Sequence, residues 1–324
     1  MSTGGDVAAA IVRAAAMRAD AGLGVETTAY RLFHDHWDGV AGLRIDRLGD
    51  TALVRVRDEA LATTTHALDI STGVRLLGLK HAACRFDPPA KVTASLDHNP
   101  VAAVVSALEH AGLSEPPSAP TGLERGLRYE LSTRAGFSCG LFFDMRAARS
   151  DLAERWRGLR ILNLFAYTCA FGVCLGAANH VVNVDLSAPT LAWGQRNYAL
   201  NGLEIPTGAF VREDAFAFLR RAARKGDRYD AVVLDPPPYS AGKRGKASRF
   251  SLRSDLQALV AEAAAIVAPG GEMFVSTNLE SLGRDAFDRA VRPAGVPLRR
   301  WGPGPDYPVP TERWPLNAAL LTRG

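Results

Sequence analysis

The sequence predicts an α/β fold, a parallel sheet with helices on both faces, preceded by a small α+β unit. Three observations carry this. From residue 161 onward, short apolar runs alternate regularly with helix-length stretches, which is the pattern of βαβ units. The run 229–234 is almost continuously apolar, as strands buried on both faces are. Upstream, Leu113-Ser-Glu-Pro-Pro-Ser-Ala-Pro-Thr-Gly122 is proline-rich and weakly apolar, which marks a linker. The predicted division is therefore an N-terminal helix or extension over 1–28, a small domain over 29–118 and a larger domain over 119–324.

Taken in order, the apolar run 7–12 is cut short by Arg13; it is too short for a membrane span or a signal peptide and reads as a surface helix. Residues 29–57 mix short strands with turn signals at Asp38-Gly39 and Leu48-Gly-Asp50, and 101–111 reads as a helix. In the larger domain, strands are predicted at 161–165, 180–185, 209–211, 229–234 and 272–276. The helices between them fall at 169–178, 188–201, 215–224 and 254–267. Gly202 and the Pro269-Gly-Gly turn supply stop signals.

Composition excludes several classes. Hydrophobic residues make up 47% and charged residues 22% of the 324 positions, the balance of a globular chain with a sizeable core. The net charge of +4 permits a nucleic-acid partner without requiring one. Cys84, Cys139, Cys169 and Cys174 have no paired spacing and read as reduced thiols of a cytoplasmic protein. His34-Asp-His-Trp-Asp38 has alternating metal-ligand types, but no further His or Cys group supports it, so no metal is expected. No Gly-x-Gly-x-x-Gly follows the first strand, and neither a phosphate-binding P-loop nor a Gly-x-Ser-x-Gly elbow occurs.

The informative residues end the strands. Asn163 lies in the first, Asp185 ends the second, Asp214 follows the third and Asp235 ends the fourth. Ligands of parallel sheets bind at the carboxyl ends of strands, and an acidic residue ending the second strand is where such folds grip ribose. A carboxylate suits that task because it accepts two hydrogen bonds at once. Asp214 would then face an adenine amine. Each aspartate alone could be a helix N-cap; several at successive strand ends favour a nucleoside cofactor.

From Gly126 onward the chain resembles class I S-adenosylmethionine-dependent methyltransferases, whose Rossmann-like sheet is seven-stranded and mostly parallel. It is specifically similar to the bacterial large-subunit ribosomal RNA methyltransferases whose founding members make 5-methylcytosine. The resemblance rests on Gly140-Leu-Phe-Phe-Asp-Met-Arg146, Leu162-Asn-Leu-Phe-Ala-Tyr-Thr168, Val182-Asn-Val-Asp-Leu-Ser187 with Asn197 and Asn201-Gly202, and Asp235-Pro-Pro-Pro-Tyr239. In the small domain it rests on Ala29-Tyr-Arg-Leu32 and Asp38-Gly-Val-Ala-Gly-Leu-Arg-Ile-Asp46. It covers nearly everything after about residue 28, without the family's N-terminal PUA domain. The resemblance implies S-adenosyl-L-methionine as cofactor. Asp144 and Arg146 would lie near its methionine end, and Asn163, Ala166 and Tyr167 would line the methionine pocket. Asp185 with Leu186 would hold the ribose side and Asp214 with Ala215 the adenine. Asp235 would face both the sulfonium and the target base.

Two positions depart from the family. Cys169 stands where glycine is usual; a Cβ there requires either a backbone at negative φ or a shifted cofactor. Packing at a helix start is its expected role. The second departure concerns chemistry. Methylating carbon 5 of a pyrimidine needs a cysteine thiolate at carbon 6, and the family's cytosine enzymes carry it just after the fifth strand. Here that place reads Val275-Ser-Thr-Asn-Leu279, which resembles the guanine-N7 relatives more closely.

The stretch Val233-Leu-Asp-Pro-Pro-Pro-Tyr-Ser-Ala-Gly-Lys-Arg-Gly-Lys246 completes the expectation. Prolines fix φ and remove donors, so Asp235, Pro236 and Pro237 would offer rigid acceptors to a base, with Tyr239 stacking on it. Lys243, Arg244, Lys246 and Asn278 would contact RNA. The leading expectation is methylation of a ribosomal RNA base by direct in-line transfer to a nitrogen, guanine N7 first and an exocyclic amine second. Methylation of a small molecule or protein side chain, and a non-catalytic RNA-binding module, remain as alternatives. The oligomeric state, monomer or homodimer, stays open.

Overall fold

The computed structural model describes residues 6–87, 100–134, 138–240, 250–279 and 281–323, the side chains of 239, 240 and 250 excepted. The chain forms two compact units, Met1–Asp144 with Pro303–Pro310, and Met145–Gly302 with Thr311–Gly324.

The first unit contains α1 (Val7–Asp20), β1 (Ala29–His34), β2 (Leu43–Leu48), β3 (Thr51–Val56), α2 (Thr64–Leu76), β4 (His81–Phe86), α3 (Ala102–His110) and the hairpin β5 (Thr121–Glu124) and β6 (Leu127–Glu130). Its sheet runs β1-β2-β3-β4, antiparallel until α2 returns the chain to a parallel β4. The N-terminal segment forms the expected helix, α1, whose apolar face is buried in the core of this unit rather than lying on the surface. Asp6 caps α1 by accepting from Ala9 N at 3.0 Å, and Val7, Ala10, Ile11 and Ala14, at helical spacing, are buried. A Cβ on Gly73 of α2 would meet Ile11 Cδ1 at 2.9 Å, so glycine lets the two helices approach.

Compactness also draws the division at Asp144 and not near 118. Thr28 and Leu123 exchange two hydrogen bonds, each of 2.9 Å, which ties the β5–β6 hairpin to the first unit. Residues 303–310 rejoin that unit as well. The buried Asp306 carboxylate accepts from Arg31 N at 3.1 Å, and Arg18 donates to the Asp306 carbonyl at 3.0 Å. Asp46 is fully buried between Arg31 and Arg55. Burial alone would raise its carboxyl pKa; the two guanidiniums outweigh that and hold it below the ordinary range.

The second unit contains α4 (Arg146–Arg155), β7 (Arg160–Leu164), α5 (Ala170–Gly176), β8 (His180–Asp185), α6 (Ala188–Leu200), β9 (Phe210–Arg212), α7 (Ala215–Lys225), β10 (Tyr229–Leu234), β11 (Tyr239–Ser240), β12 (Phe250–Ser251), α8 (Leu252–Ala265), β13 (Val267–Thr277), α9 (Arg284–Val291), β14 (Val296–Arg300) and β15 (Asn317–Thr322). The seven-stranded sheet has the order β14-β15-β13-β10-β7-β8-β9. β15 is antiparallel to both neighbours, and the other pairs are parallel. Strand periodicity divides the core. Leu162, Leu164, Val182, Val232 and Leu234 belong to the cluster with α7, α8 and α9, whereas Ile161, Val181, Ala231, Val233 and Phe274 belong to that with α4 and α5. The chain starts mid-sheet at β7, runs outward through β8 and β9, then crosses back to β10 on the other side of β7. That reversal is the switch point where parallel sheets bind ligands. Among the described residues no helix is long and apolar enough to cross a membrane.

Candidate active site

The loop leaving β7 has an unusual backbone. Phe165, Tyr167 and Cys169 take φ of 56°, 50° and 59°, the left-handed region that side-chain-bearing residues avoid at a cost of about 1–2 kcal/mol each. Cys169 therefore adopts the glycine-like conformation itself and does not keep negative φ. The loop is held from several directions. Ala166 N donates to Val184 O (3.0 Å), Cys169 N to Ala166 O (2.7 Å), and the buried Asn197 amide to Thr168 O (3.0 Å). The Cys169 side chain is fully buried and turns toward α6. A Cβ on Gly194 would sit 2.9 Å from Cys169 Cβ and nearer still to its Sγ. The expected packing role stands on that contact. Burial, then the Asp185 charge, push the Cys169 thiol well up, so it is no thiolate at neutral pH.

Asp185, at the end of β8, joins two loops. One carboxylate oxygen accepts from Tyr167 N and the other from Ser187 N, both at 2.8 Å. An ionised carboxylate has about four acceptor sites, so capacity remains for hydroxyl donors. Beside it Leu186 is 45% exposed, an apolar side chain at a strand end. Asp214 caps α7, accepting from Ala217 N at 3.1 Å, and is exposed; Ala215 after it is buried in the core. The N-cap role and the strand-end position coincide in one residue.

Asn163 is nearly fully buried, and its amide donates to Asn183 Oδ1 at 2.8 Å. Asn183 in turn donates to the Tyr198 hydroxyl at 2.9 Å. The two asparagines are register partners on β7 and β8, and the chain of bonds fixes the relative height of these strand ends. Asn163 is thus placed within the sheet, supporting the loop that carries Ala166 and Tyr167.

Asp235 ends β10 and accepts a 2.6 Å hydrogen bond from Ser276 Oγ on β13. Burial pushes its carboxyl above the ordinary range; the Ser276 hydroxyl and the Arg149 charge pull the other way without cancelling it. Ser276 and Thr277 are fully buried, and Asn278 is exposed. Pro236 is buried and Pro237 half-buried. The chain then enters the β11–β12 pair, in which Tyr239 faces Ser251 across the ladder. The Tyr239 side chain and Lys243, Arg244 and Lys246 lie outside the described residues. Arg146 opens α4 and is buried, and Asp144 belongs to the first unit.

Sequence reasoning missed Arg149, Gly194 and the part played by Ser276. Arg149 is 1% exposed, with its guanidinium 5.7 Å from the centre of the Phe171 ring. Its one signal was a second arginine a helical turn after Arg146. His34-Asp-His-Trp-Asp38 serves the first unit internally. Asp38 receives Arg18 through two 2.7 Å bonds, and burial followed by the Arg31 charge lowers the His34 pKa to about 3. Among the described residues no three metal-ligating side chains converge.

A switch point flanked by strand-end carboxylates, with a strained loop after the first strand and an antiparallel strand next to the fifth, is the arrangement of a nucleoside-cofactor-binding α/β protein. Asp185 ends β8, Asp214 follows β9 and Asp235 follows β10, so the three carboxylates stand at the carboxyl ends of three parallel strands. The chain belongs to the S-adenosylmethionine-dependent methyltransferase family, whose profile matches residues 102–299, and S-adenosylmethionine is the cofactor it requires.

Among its relatives, ribosomal RNA large subunit methyltransferase I of Aeromonas hydrophila is 31% identical over 279 residues, 84% of this chain and 66% of that protein. This chain therefore spans just under two thirds of that relative's length. Ribosomal RNA large subunit methyltransferase K of Neisseria meningitidis is 35% identical over 160 residues, 49% of this chain and 45% of that protein. Among solved structures, SMU.776, described as a methyltransferase complexed with SAH, superposes with a TM-score of 0.82 at 23% identity, covering 100% of this chain and 83% of that one. That similarity concerns the fold.

Proposed function

We propose that this protein methylates a base of large-subunit ribosomal RNA in the cytoplasm, by direct transfer to a nitrogen and without a cysteine adduct. The relatives' names support the substrate class. The observation that carries the nitrogen assignment is Ser276. It fills the place just after the fifth strand's apolar run, where a carbon-5 enzyme keeps its cysteine, and its hydroxyl donates to Asp235. In the same unit, Cys169 is buried against α6, and burial raises its thiol well above the ordinary pKa.

S-adenosylmethionine supplies, when bound, a methyl group on a sulfonium that is already a good leaving group. The chain's own residues align. Asp185 would accept from the ribose hydroxyls while anchoring the Phe165–Cys169 loop, with Leu186 against the adenosine and Asp214 near the adenine amine. Ala166 and Tyr167 would border the methionine portion, with Arg146 toward its end. Asp235 and the Pro236 and Pro237 carbonyls would accept from the base, which Tyr239 would stack upon. Lys243, Arg244, Lys246 and Asn278 would hold RNA. Such alignment can supply about 7–11 kcal/mol of a barrier.

The test is transfer of a labelled methyl group from S-adenosylmethionine to unmodified ribosomal RNA, free nucleosides and a protein mixture. The proposal expects label in RNA alone, with activity falling steeply as salt rises. Label in the nucleosides or protein instead would refute it.

A further inference from the structure

We infer that Ser276 is a positioning residue for the transfer, holding the Asp235 carboxylate in one orientation toward the base. The inference rests on the proposed nitrogen methylation and goes beyond it by giving a task to a side chain that the reaction does not touch. Three observations lead to it. Ser276 is fully buried on β13, yet its hydroxyl points along the sheet to Asp235 Oδ1 at 2.6 Å. The strands β10 and β13 are register partners, Leu234 opposite Val275, so Asp235 and Ser276 are adjacent at the ends of parallel neighbours. The contact is thus fixed by two strands and not by a loop. Pro236, buried immediately after Asp235, restricts the backbone from the other direction.

With Oδ1 engaged by Ser276, Oδ2 is the oxygen left to accept from a donor in the crevice. A carboxylate with one oxygen tied down cannot rotate to offer a mixed face. A base amine then meets a single acceptor at a fixed height. A serine also suits the position because the hydroxyl donates to the ionised carboxylate and so favours that form over the protonated one, which would turn a donor toward the base.

Among the described residues, the elements next to Asp235 bring the following groups. α4 brings the buried Arg149, whose charge also favours the ionised carboxylate. β7 brings the neutral Asn163, engaged with Asn183. β13 brings the neutral hydroxyls of Ser276 and Thr277, the latter accepting from Leu279 N at 3.1 Å. On α8 the first charged residues are Arg253, bonded to Ser281, and Asp255, bonded to Ser251 and Ser254. Among the described residues of this set, the Ser276 hydroxyl donates to Asp235 at 2.6 Å.

The experiment reads Asp235 directly. The full-length protein is labelled with carboxyl-13C aspartate, the Asp235 signal is assigned by its loss in Asp235→Asn, and its titration is followed in the wild type, Ser276→Ala and Ser276→Cys. Removing a donor from a charged acceptor should raise the midpoint by roughly one pH unit in Ser276→Ala, with the weaker donor of Ser276→Cys giving a smaller rise. Ser276→Thr, which keeps the hydroxyl, should restore the wild-type midpoint. On ribosomal RNA, kcat should fall at least about tenfold in Ser276→Ala, its acid limb moving to higher pH with the same sign, while the KM for S-adenosylmethionine stays within about twofold. An Asp235 midpoint unchanged in both Ser276→Ala and Ser276→Cys overturns the inference whatever the substrate proves to be. A wild type that titrates as stated but leaves ribosomal RNA unmethylated refutes the proposed function and leaves the Ser276–Asp235 bond established.

Discussion

The contact between Cys169 and Gly194 can be tested as a pair. In Gly194→Ala the new Cβ would sit 2.9 Å from Cys169 Cβ, closer to its Sγ, and 3.3 Å from the Thr168 carbonyl carbon. Carbon atoms prefer about 3.5–4.0 Å, so more than half an ångström must be absorbed in the loop that carries Ala166 and Tyr167. Overpacking of this kind costs about 1–3 kcal/mol, against a helix-propensity gain of about 1 kcal/mol for alanine over glycine. The single variant should lose up to about 2 kcal/mol by this difference and bind S-adenosylmethionine more weakly, because the displaced loop donates to Asp185. Cys169→Gly removes the obstructing sulfur and relieves a left-handed φ at a non-glycine residue, a strain of about 1–2 kcal/mol. The combined variant should therefore recover, with a favourable coupling of about 1–3 kcal/mol. Urea unfolding and calorimetric S-adenosylmethionine titration of the four proteins give both readouts. Additivity within about 0.5 kcal/mol, together with unchanged affinity in Gly194→Ala, would refute the argument that these side chains share one space.

Three other outcomes are expected. Asp185→Asn should weaken S-adenosylmethionine binding at least about a hundredfold by calorimetry, since an amide cannot accept on both atoms and would set its NH2 group against one of the N–H donors of Tyr167 and Ser187. In the first unit, Asp46→Asn should destabilise by about 3–5 kcal/mol in urea, because it removes the carboxylate paired with both buried Arg31 and Arg55, leaving Arg55 its longer 3.7 Å pair with Asp87. The wild-type contribution of Asp46, whose folded pKa lies below the unfolded value, is present above the ordinary carboxylate range and should disappear as pH falls through the folded value. Neutralising Lys243 and Arg244 together should reduce RNA affinity and flatten its dependence on log salt by about one unit per lost phosphate contact, measured by filter binding, while leaving S-adenosylmethionine affinity unchanged.

The parallel sheet was legible because each strand carries its own signal: 161–165, 180–185 and 229–234 are apolar runs with polar ends, and β7, β8 and β10 fall on them. β14 and β15 carried weaker signals. Val296–Arg300 contains a proline and two arginines on an exposed edge, which reads as loop without knowledge of β15 beside it. The contact-based division falls at Asp144 and not near 118, because proline content reports local stiffness, whereas unit membership follows from pairing. Thr28 with Leu123, and Arg31 with Asp306, are contacts between residues about 95 and 275 positions apart. The strand-end aspartates were legible as positions, and the structure adds their partners. Asn163 illustrates the difference. The resemblance placed it beside the methionine pocket, and the structure adds that its amide donates to Asn183 within the sheet. Cys169 illustrates another: its φ could not be read from its identity, because the compensation lies in Gly194, a helical turn of α6 that only folding brings near.

The claim on which the account turns is that this crevice methylates a nitrogen without a covalent enzyme–base intermediate. Its most direct test is mass spectrometry of nucleosides recovered from unmodified large-subunit ribosomal RNA after incubation with the protein and methyl-labelled S-adenosylmethionine. The account predicts a labelled base carrying the methyl group on nitrogen. Labelled 5-methylcytosine or 5-methyluridine would contradict it, since that product requires a nucleophile which Ser276, buried and donating to Asp235, does not provide.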